Sequence, residues 1–331
     1  MTYQSILRSS KIALVCGATL FGAMAAEPVV VVVNSGDSTA SVYHVARITN
    51  GDANLKLAKT LPTGKTPNEV CISPSGSRAY VSNRGESSIT VLDLEKLTVA
   101  STITEPGLKN PDGCLVTSDG SSLYVTAVGA DSVFQFSTAD HHKVREIKVG
   151  KEPRRLVFSP DGARLYVSNG EERFVSVIDV KSGTVTAKIP AGRDNRAMIF
   201  TPDGKYLVIA NVSDDTVQFV KAGETETEFT MGVPRSPQRL LAIPEKQVLF
   251  ALGRFDKVIS FLDLRPLNAF GRYFGSISVG GGPWGMARSA DGETVYVTNT
   301  SDDTISFVDL RMMRVTHTIK TGKGPLGIAA H

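Results

Sequence analysis

Seven copies of one short apolar segment, spaced at intervals in the forties, constrain what this chain can become. The clearest copy is Tyr296-Val-Thr-Asn299, within residues 280–310, and its first position recurs at Val31, Tyr80, Tyr124, Tyr166, Val208 and Phe250. The successive gaps are 49, 44, 42, 42, 42 and 46 residues. Thirteen residues ahead of all but the first copy stand Pro67, Pro111, Pro153, Asn195, Pro237 and Pro283. A further opening, Gly322-Lys-Gly-Pro325, has no such segment after it. A period of this length, filled with short alternating strands and turn residues, is the pattern of a radial β array.

Each unit supplies four strands. The first is apolar and follows the proline, the second is the recurring segment, the third alternates as in Val175-Ser-Val-Ile178-Asp179, and the fourth leads into the next glycine. Between the first two lie turns such as Ser159-Pro-Asp-Gly162 and Thr201-Pro-Asp-Gly204, with Pro at the second turn position and Gly where positive φ is wanted. Ile243-Pro-Glu-Lys246 lacks that glycine, which predicts a looser hairpin in the sixth unit. The two ends of the sequence complement one another. Residues 29–33, 41–45 and 57–61 read as second, third and fourth strands without a first, and residues 326–330 as a first strand alone. Paired, they leave no open sheet edge. The expected fold is therefore all-β: a seven-bladed β-propeller of four-stranded blades, its ring closed by one C-terminal strand joining three N-terminal strands.

Residues 1–25 read as a secretory signal, with Arg8 and Lys11 ahead of an uncharged run at 12–24 and an Ala23-Met24-Ala25 cleavage site. Residues 26–331 then form a single propeller domain, placed in the periplasm or secreted, with no membrane insertion after cleavage. Cleavage leaves 34 Lys and Arg against 33 Asp and Glu, since the full chain has 36 and 33 and the segment carries two cations and no carboxylate. A balance so near neutral argues against nucleic acid, whose phosphates require a dense cationic surface. Export would place Cys71 and Cys114 in an oxidising compartment. They occupy first strands of consecutive units, one position out of register, which leaves a bridge open but favours two small buried thiols. Two units are longer than the rest, through residues 47–56 and 265–274; the second carries three aromatics and reads either as a partner surface or as a self-packed loop.

These motifs resemble the YVTN family of seven-bladed propellers, whose unit runs G-x-x-P, S-P-D-G, Y-V-T-N and T-V-S-V-I-D. Gly150-Lys-Glu-Pro153, Ser159 to Gly162, Tyr166-Val-Ser-Asn169 and Val175 to Asp179 follow it closely, and the resemblance spans essentially the whole mature chain. It implies the fold strongly and the function weakly, because relatives of this type include secreted binding and surface proteins, proteins linked to PQQ-dependent catabolism, the heavy subunit of quinoprotein amine dehydrogenases and lactonase-like enzymes. The propeller of haem-d1 reductases is similar, but no Cys-x-x-Cys-His is present, so covalent c-type haem is excluded.

In such a ring, the loops before the first strands and after the second strands share one face around the central channel. The residue after the loop proline would be small and uniform in an idle scaffold. Here it runs Asn68, Asp112, Arg154, Arg196, Gln238, Trp284 and Leu326. Together with Arg155 and Arg239, and with Lys151, Arg193 and Arg235 nearby in sequence, this concentrates guanidiniums in blades four to six beside the only tryptophan. Guanidinium forks and an aromatic plate suit a planar anion such as a carboxylate or a quinone-like ring. The expected ligand-binding set is Asn68, Arg154, Arg155, Arg196, Gln238, Arg239 and Trp284; the plain alternative is basic exposed loops with Trp284 packed between blades.

Other candidates carry less chemistry. Asp37, Glu86, Glu172, Asp214, Asp256 and Asp302 recur three residues after the second strand and read as hairpin-closing side chains rather than a cation-collecting ring. Asn34, Asn83, Asn169, Asn211 and Asn299 read as turn formers, replaced by Ala127 and Gly253 in the third and sixth units. The five histidines have no metal-ligand spacing, and no G-x-S-x-G, P-loop or HExxH occurs, so no metal, catalytic group or cofactor is assigned. If the chain is an enzyme, Glu69 and Asp112 are its acid/base candidates. The resulting expectation is a monomeric exported propeller without chemistry of its own. It would bind a partner protein or small anionic molecule at its channel mouth, in periplasmic quinoprotein-linked metabolism by family analogy. A lactonase-like hydrolase at the same mouth and a cell-surface adhesion scaffold are the alternatives.

Overall fold

The computed structural model describes residues 28–47, 53–265 and 273–331. The signal-like segment, half of the 47–56 insertion and most of the 265–274 insertion lie outside the described residues. Within them the chain forms seven four-stranded antiparallel sheets arranged as blades. Six blades take their strands consecutively, as blade four does with Pro153–Phe158, Arg164–Asn169, Phe174–Asp179 and Thr184–Pro190. Blade one is composite: Pro325–Ala330 pairs with Val29–Asn34, which is followed by Thr39–Arg47 and Ala53–Pro62. Val30 lies opposite Ala330 and Val32 opposite Ile328, as the complementary ends predict.

Burial follows from the stacking of blades. Each second strand has a neighbouring blade on either face, so Thr294–Asn299 and Val29–Asn34 are buried throughout and read as continuous apolar runs. The outermost strands face water and alternate, as in Thr184–Pro190. The core is divided into seven apolar clusters, one at each junction between consecutive blades. At the closing junction, Tyr296, Ile305 and Phe307 of blade seven pack on Val30, Val32, Tyr43 and Ile328 of blade one. The join between the ends is thus packed like every other.

The Gly and Asn of each unit form a single device. Asn299 Nδ2 donates to Thr304 Oγ1 at 2.9 Å and Ser306 Oγ at 2.8 Å, bracing the third strand; Asn34 and Asn83 do the same five and seven residues on. These asparagines are buried, and their side chains brace the third strand across the turn that their position predicts. Each lies beneath the glycine that opens its own blade: a Cβ on Gly280 would fall 2.5 Å from Asn299 Cγ, and one on Gly322 equally close to Asn34. Where the asparagine is lost, so is the glycine. Blade three has Leu108 over Ala127, and blade six has Pro234 over Gly253. Volume is conserved across the pair, so that a buried Leu108 fills what Ala127 vacates.

The recurring carboxylates differ from their expected use. Five of the six accept backbone N–H bonds, but from the loop entering the blade, 21 residues upstream in the interior units, whereas Glu172 Oε2 is buried without a partner among the described residues. Asp214 takes Arg193 N–H at 2.6 Å, Asp256 takes Arg235 N–H at 2.7 Å, and Asp37 takes Lys323 N–H at 2.6 Å across the join of the two ends. The sixth hairpin is tighter than predicted. Ile243 still pairs with Val248, and Gln247 takes φ 53° with its N–H bonded to Pro244 O, so the loop has fewer unpaired residues than the glycine-bearing turns. The cysteines are corrected as well. Cys71 and Cys114 are only partly buried and form a disulfide, with Cα atoms 5.9 Å apart, joining the inner strands of blades two and three. Being one position out of register brings the two sulfurs together across the junction.

Two predictions follow from packing and cross-linking. Gly280→Ala should cost about 1–3 kcal/mol through overpacking, and Asn299→Ala about 1–2 kcal/mol through lost hydrogen bonds. The double variant should be more stable than the sum of the two costs implies; strict additivity in urea unfolding would show that the residues are not coupled. The disulfide spans 43 residues, so replacing both cysteines by serine should lower stability by roughly 2–4 kcal/mol, while mass analysis of alkylated, unreduced protein should find neither thiol labelled.

Candidate functional site

The mouth of the channel is built from two positions in each unit. The residue before each loop proline, or before Asn195, turns through the left-handed region: Thr66, Asn110, Glu152, Asp194, Ser236, Gly282 and Gly324 have φ between 48° and 60°. The chain thereby doubles back from one blade's outer strand to the next blade's inner strand. The hydroxyl at the third place of the second strand then ties inner strands together. Ser82 donates to Asp112 O at 2.6 Å, Thr126 to Arg154 O at 3.1 Å and Thr298 to Leu326 O at 2.7 Å. Each of these bonds fixes the backbone of the residue that follows a loop proline, so the repeat's structural hydroxyl also positions the candidate site.

Arg154, Arg155, Arg196, Gln238, Arg239 and Trp284, expected from sequence, converge on one cavity of about 190 Å³ together with Asp112, Arg84 and Arg254. Asn68 is buried behind it and donates to Asp112 Oδ1 at 2.9 Å, which makes it a support for Asp112 rather than part of the lining. Arg193 and Arg235 are exposed and paired with Asp214 and Asp256, and they stand outside the lining.

The charges interlock. Asp112 receives Arg155 at 2.9 Å and Arg154 at 3.2 Å, with Arg84 4.0 Å away. Arg154 also pairs with Glu152, and Arg196 pairs with Asp194 at 2.9 Å while donating to Gln238 Oε1 at 3.2 Å. Glu69 holds two guanidiniums from different blades, Arg155 at 2.6 Å and Arg239 at 2.5 Å. Arg254 has no carboxylate partner among the described residues; its guanidinium lies 4.8 Å from the Trp284 ring centroid. Burial pushes the Asp112 carboxyl up, but Arg155, Arg154 and Arg84 outweigh burial and hold it below the usual carboxylate range. Burial, reinforced by Arg155, pushes Arg239 down to about 10, against the opposing pull of Glu69; it remains cationic at neutral pH. Arg254 is lowered by burial and by Arg196.

Below the mouth a second cavity of about 160 Å³ is lined by Val70, Leu156, Met198 and Leu240, with Glu69, Arg155 and Arg239 at its boundary. Arg155 and Arg239 line both cavities, so the Glu69 triad forms the floor of the upper one. The same place in the other units holds Gly113, Ala197, Gly285 and Gly327. At Gly113 the reason is close approach, since a Cβ there would fall 2.3 Å from Arg154 O. Three large charged residues where the repeat otherwise wants almost no side chain are a signal already present in the sequence.

Arg84 and Arg254, which line the cavity but were not among the expected residues, share another such place, the residue after the second strand. Glu69 and Asp112 lie within reach of one guanidinium, Arg155, rather than facing each other across free space. Among the described residues no three His, Cys, Asp or Glu side chains gather as a metal site would require.

A family model described as "SMP-30/Gluconolactonase/LRE-like region" matches residues 16–171, a little under half of the chain. That half resembles the family. Among solved structures, a putative 6-phosphogluconolactonase from Bacteroides fragilis superposes with a TM-score of 0.75 at 16% identity, covering 94% of this chain and 99% of its own. Kuenenia stuttgartiensis hydrazine synthase gives 0.71 at 20% identity, covering 80% of this chain and 89% of its own. Dihydro-heme d1 dehydrogenase NirN gives 0.69 at 16%, covering 91% and 74%. Identities this low establish a shared propeller fold and nothing finer. No curated protein matches the sequence. The resemblance to YVTN repeats is consistent with all of these.

Asp112 supplies a prediction. Its folded-state pKa lies below the unfolded value near 3.9, so its contribution is present above about pH 4 and is lost as pH falls through the folded value. Asp112→Ala, which leaves three guanidiniums short of a partner, should cost roughly 3–5 kcal/mol at pH 7. That cost should shrink on acidification; equal destabilisation at pH 7 and pH 3 in denaturant titrations would contradict the assignment.

Proposed function

We propose that the chain is a binding propeller that takes a small carboxylate-bearing anion into the arginine-walled cavity at its channel mouth. The observation that carries this reading is the employment of the two candidate acid/base residues. Asp112 is paired with Arg154 and Arg155, and Glu69 with Arg155 and Arg239. Asp112, held ionised in this way, is a poor proton acceptor, because its depressed pKa removes the driving force for general-base work, and the Glu69 carboxylate is occupied by two guanidiniums. The lining is rich in donors: Trp284 Nε1 and Arg154 Nε are buried without an acceptor among the described residues. A cavity of about 190 Å³ falls below the ~300–1,000 Å³ of drug-sized sites, which limits the ligand to about one ring and its substituents. The signal-like leader and the Cys71–Cys114 bridge support action outside the cytoplasm. Quinoprotein-linked metabolism rests on family analogy alone.

Lactone hydrolysis is the second reading, favoured by the SMP-30/gluconolactonase-like match over residues 16–171 and by the putative lactonase fold neighbour. Calorimetric titration with benzoate and a hydrolysis assay on glucono-1,5-lactone separate the two. Saturable benzoate binding, weakened about tenfold or more in Arg239→Gln, is the expected result, with no lactone turnover above background. Lactone turnover that disappears in Glu69→Gln would replace the binding reading with the hydrolytic one.

A further inference from the structure

The charges around the mouth specify more than a single anionic group, an inference that rests on the binding reading above. Six guanidiniums line the cavity: Arg84, Arg154, Arg155, Arg196, Arg239 and Arg254. The carboxylates in ion-pair contact with them are four: Asp112, Glu69, Glu152 and Asp194. Two positive charges are left over in a partly enclosed site, where uncompensated charge is costly.

The surplus can be located. Arg154 has Asp112 and Glu152, Arg155 has Asp112 and Glu69, and Arg196 has Asp194 and Gln238 Oε1. Arg84 reaches only Asp112, at 4.0 Å, but its side chain is 38% exposed and water compensates its charge. Arg239 has only a half-share of Glu69, whose other guanidinium is Arg155, and its side chain is 13% exposed. Arg254 has the Trp284 ring and no carboxylate among the described residues. Both are destabilised as cations by burial and by a neighbouring guanidinium, Arg155 for the first and Arg196 for the second. They come from consecutive structural positions of blade six, the inner strand Pro237–Ile243 and the residue after Val248–Gly253.

We infer that the ligand is a small dicarboxylate. One carboxylate completes the partnership of Arg239 from above the Glu69 floor, and the other sits on Arg254 beside Trp284. Two anionic groups answer two surplus cations, each a planar fork suited to a carboxylate. A monocarboxylate leaves one guanidinium short. In this arrangement Glu69 is a positioning residue, holding Arg155 and Arg239 together beneath the ligand without touching it.

Titration of the purified full chain with benzoate and with each of the three benzenedicarboxylates, at fixed ionic strength, tests this. The best-fitting dicarboxylate should bind at least tenfold more tightly than benzoate. In Arg254→Gln, at a side chain with no ion pair to lose in folding, that ratio should collapse towards one, with circular dichroism unchanged. Equal affinity for benzoate and every dicarboxylate in the wild type overturns the inference and leaves the anion-binding reading standing. A preference that survives Arg254→Gln overturns the placement on that residue. Binding of none of the four overturns the reading and the inference together.

Discussion

The contact between neighbouring blades is the interaction on which everything else in this molecule depends. A single four-stranded sheet of this sequence would expose an apolar face on both sides, and it becomes stable only by being sandwiched. The seven apolar junctions satisfy that need, and they also set the distance between inner strands at which a serine or threonine hydroxyl can reach the next blade's carbonyl. Because those carbonyls belong to Asp112, Arg154 and Leu326, packing energy is converted directly into the placement of side chains at the mouth. The site needs no dedicated scaffold beyond the one that folds the ring.

The same economy explains why the fold was legible and the site only partly so. Blade number, strand order and ring closure follow from periodicity, because period and turn chemistry are local properties that repetition amplifies. The Gly–Asn pairing is also written in the sequence, in the joint loss of both at Leu108 and Ala127 and at Pro234 and Gly253, but its meaning is steric and emerges only from the 2.5 Å approach. The convergence of Arg154, Arg196 and Arg239 could be anticipated because a ring brings equivalent positions together.

What one sequence does not expose is pairing across the ring. Glu69 meets Arg239 across 170 positions, and no spacing rule connects them. Asn68 stands where a ligand contact was expected, yet it serves Asp112, since the direction of a side chain at a tight turn depends on its neighbour's charge. The cysteines show the converse. A one-position offset looked unfavourable for a bridge, and across a junction of twisted inner strands that offset is what aligns them. Arg84 and Arg254 stand out in the sequence at the place after each second strand, where the other units hold Ser35, Val128, Gly170, Val212 and Thr300.

The composite blade governs when, as well as how, the molecule can fold. Val30 and Ala330 are paired neighbours in one sheet, separated by nearly the whole described chain. Blade one therefore keeps an unpaired edge, and the closing cluster around Tyr296 and Ile328 stays half-built, until Pro325–Ala330 arrives. Closing so long a loop adds little to the equilibrium cost, which grows only with the logarithm of length, but it is slow, because distant contacts must form before they are rewarded. Six blades can stack as the chain emerges, and the ring shuts as a late event. Once shut, the ring pairs Val29–Asn34 on both edges, with Pro325–Ala330 on one side and Thr39–Arg47 on the other.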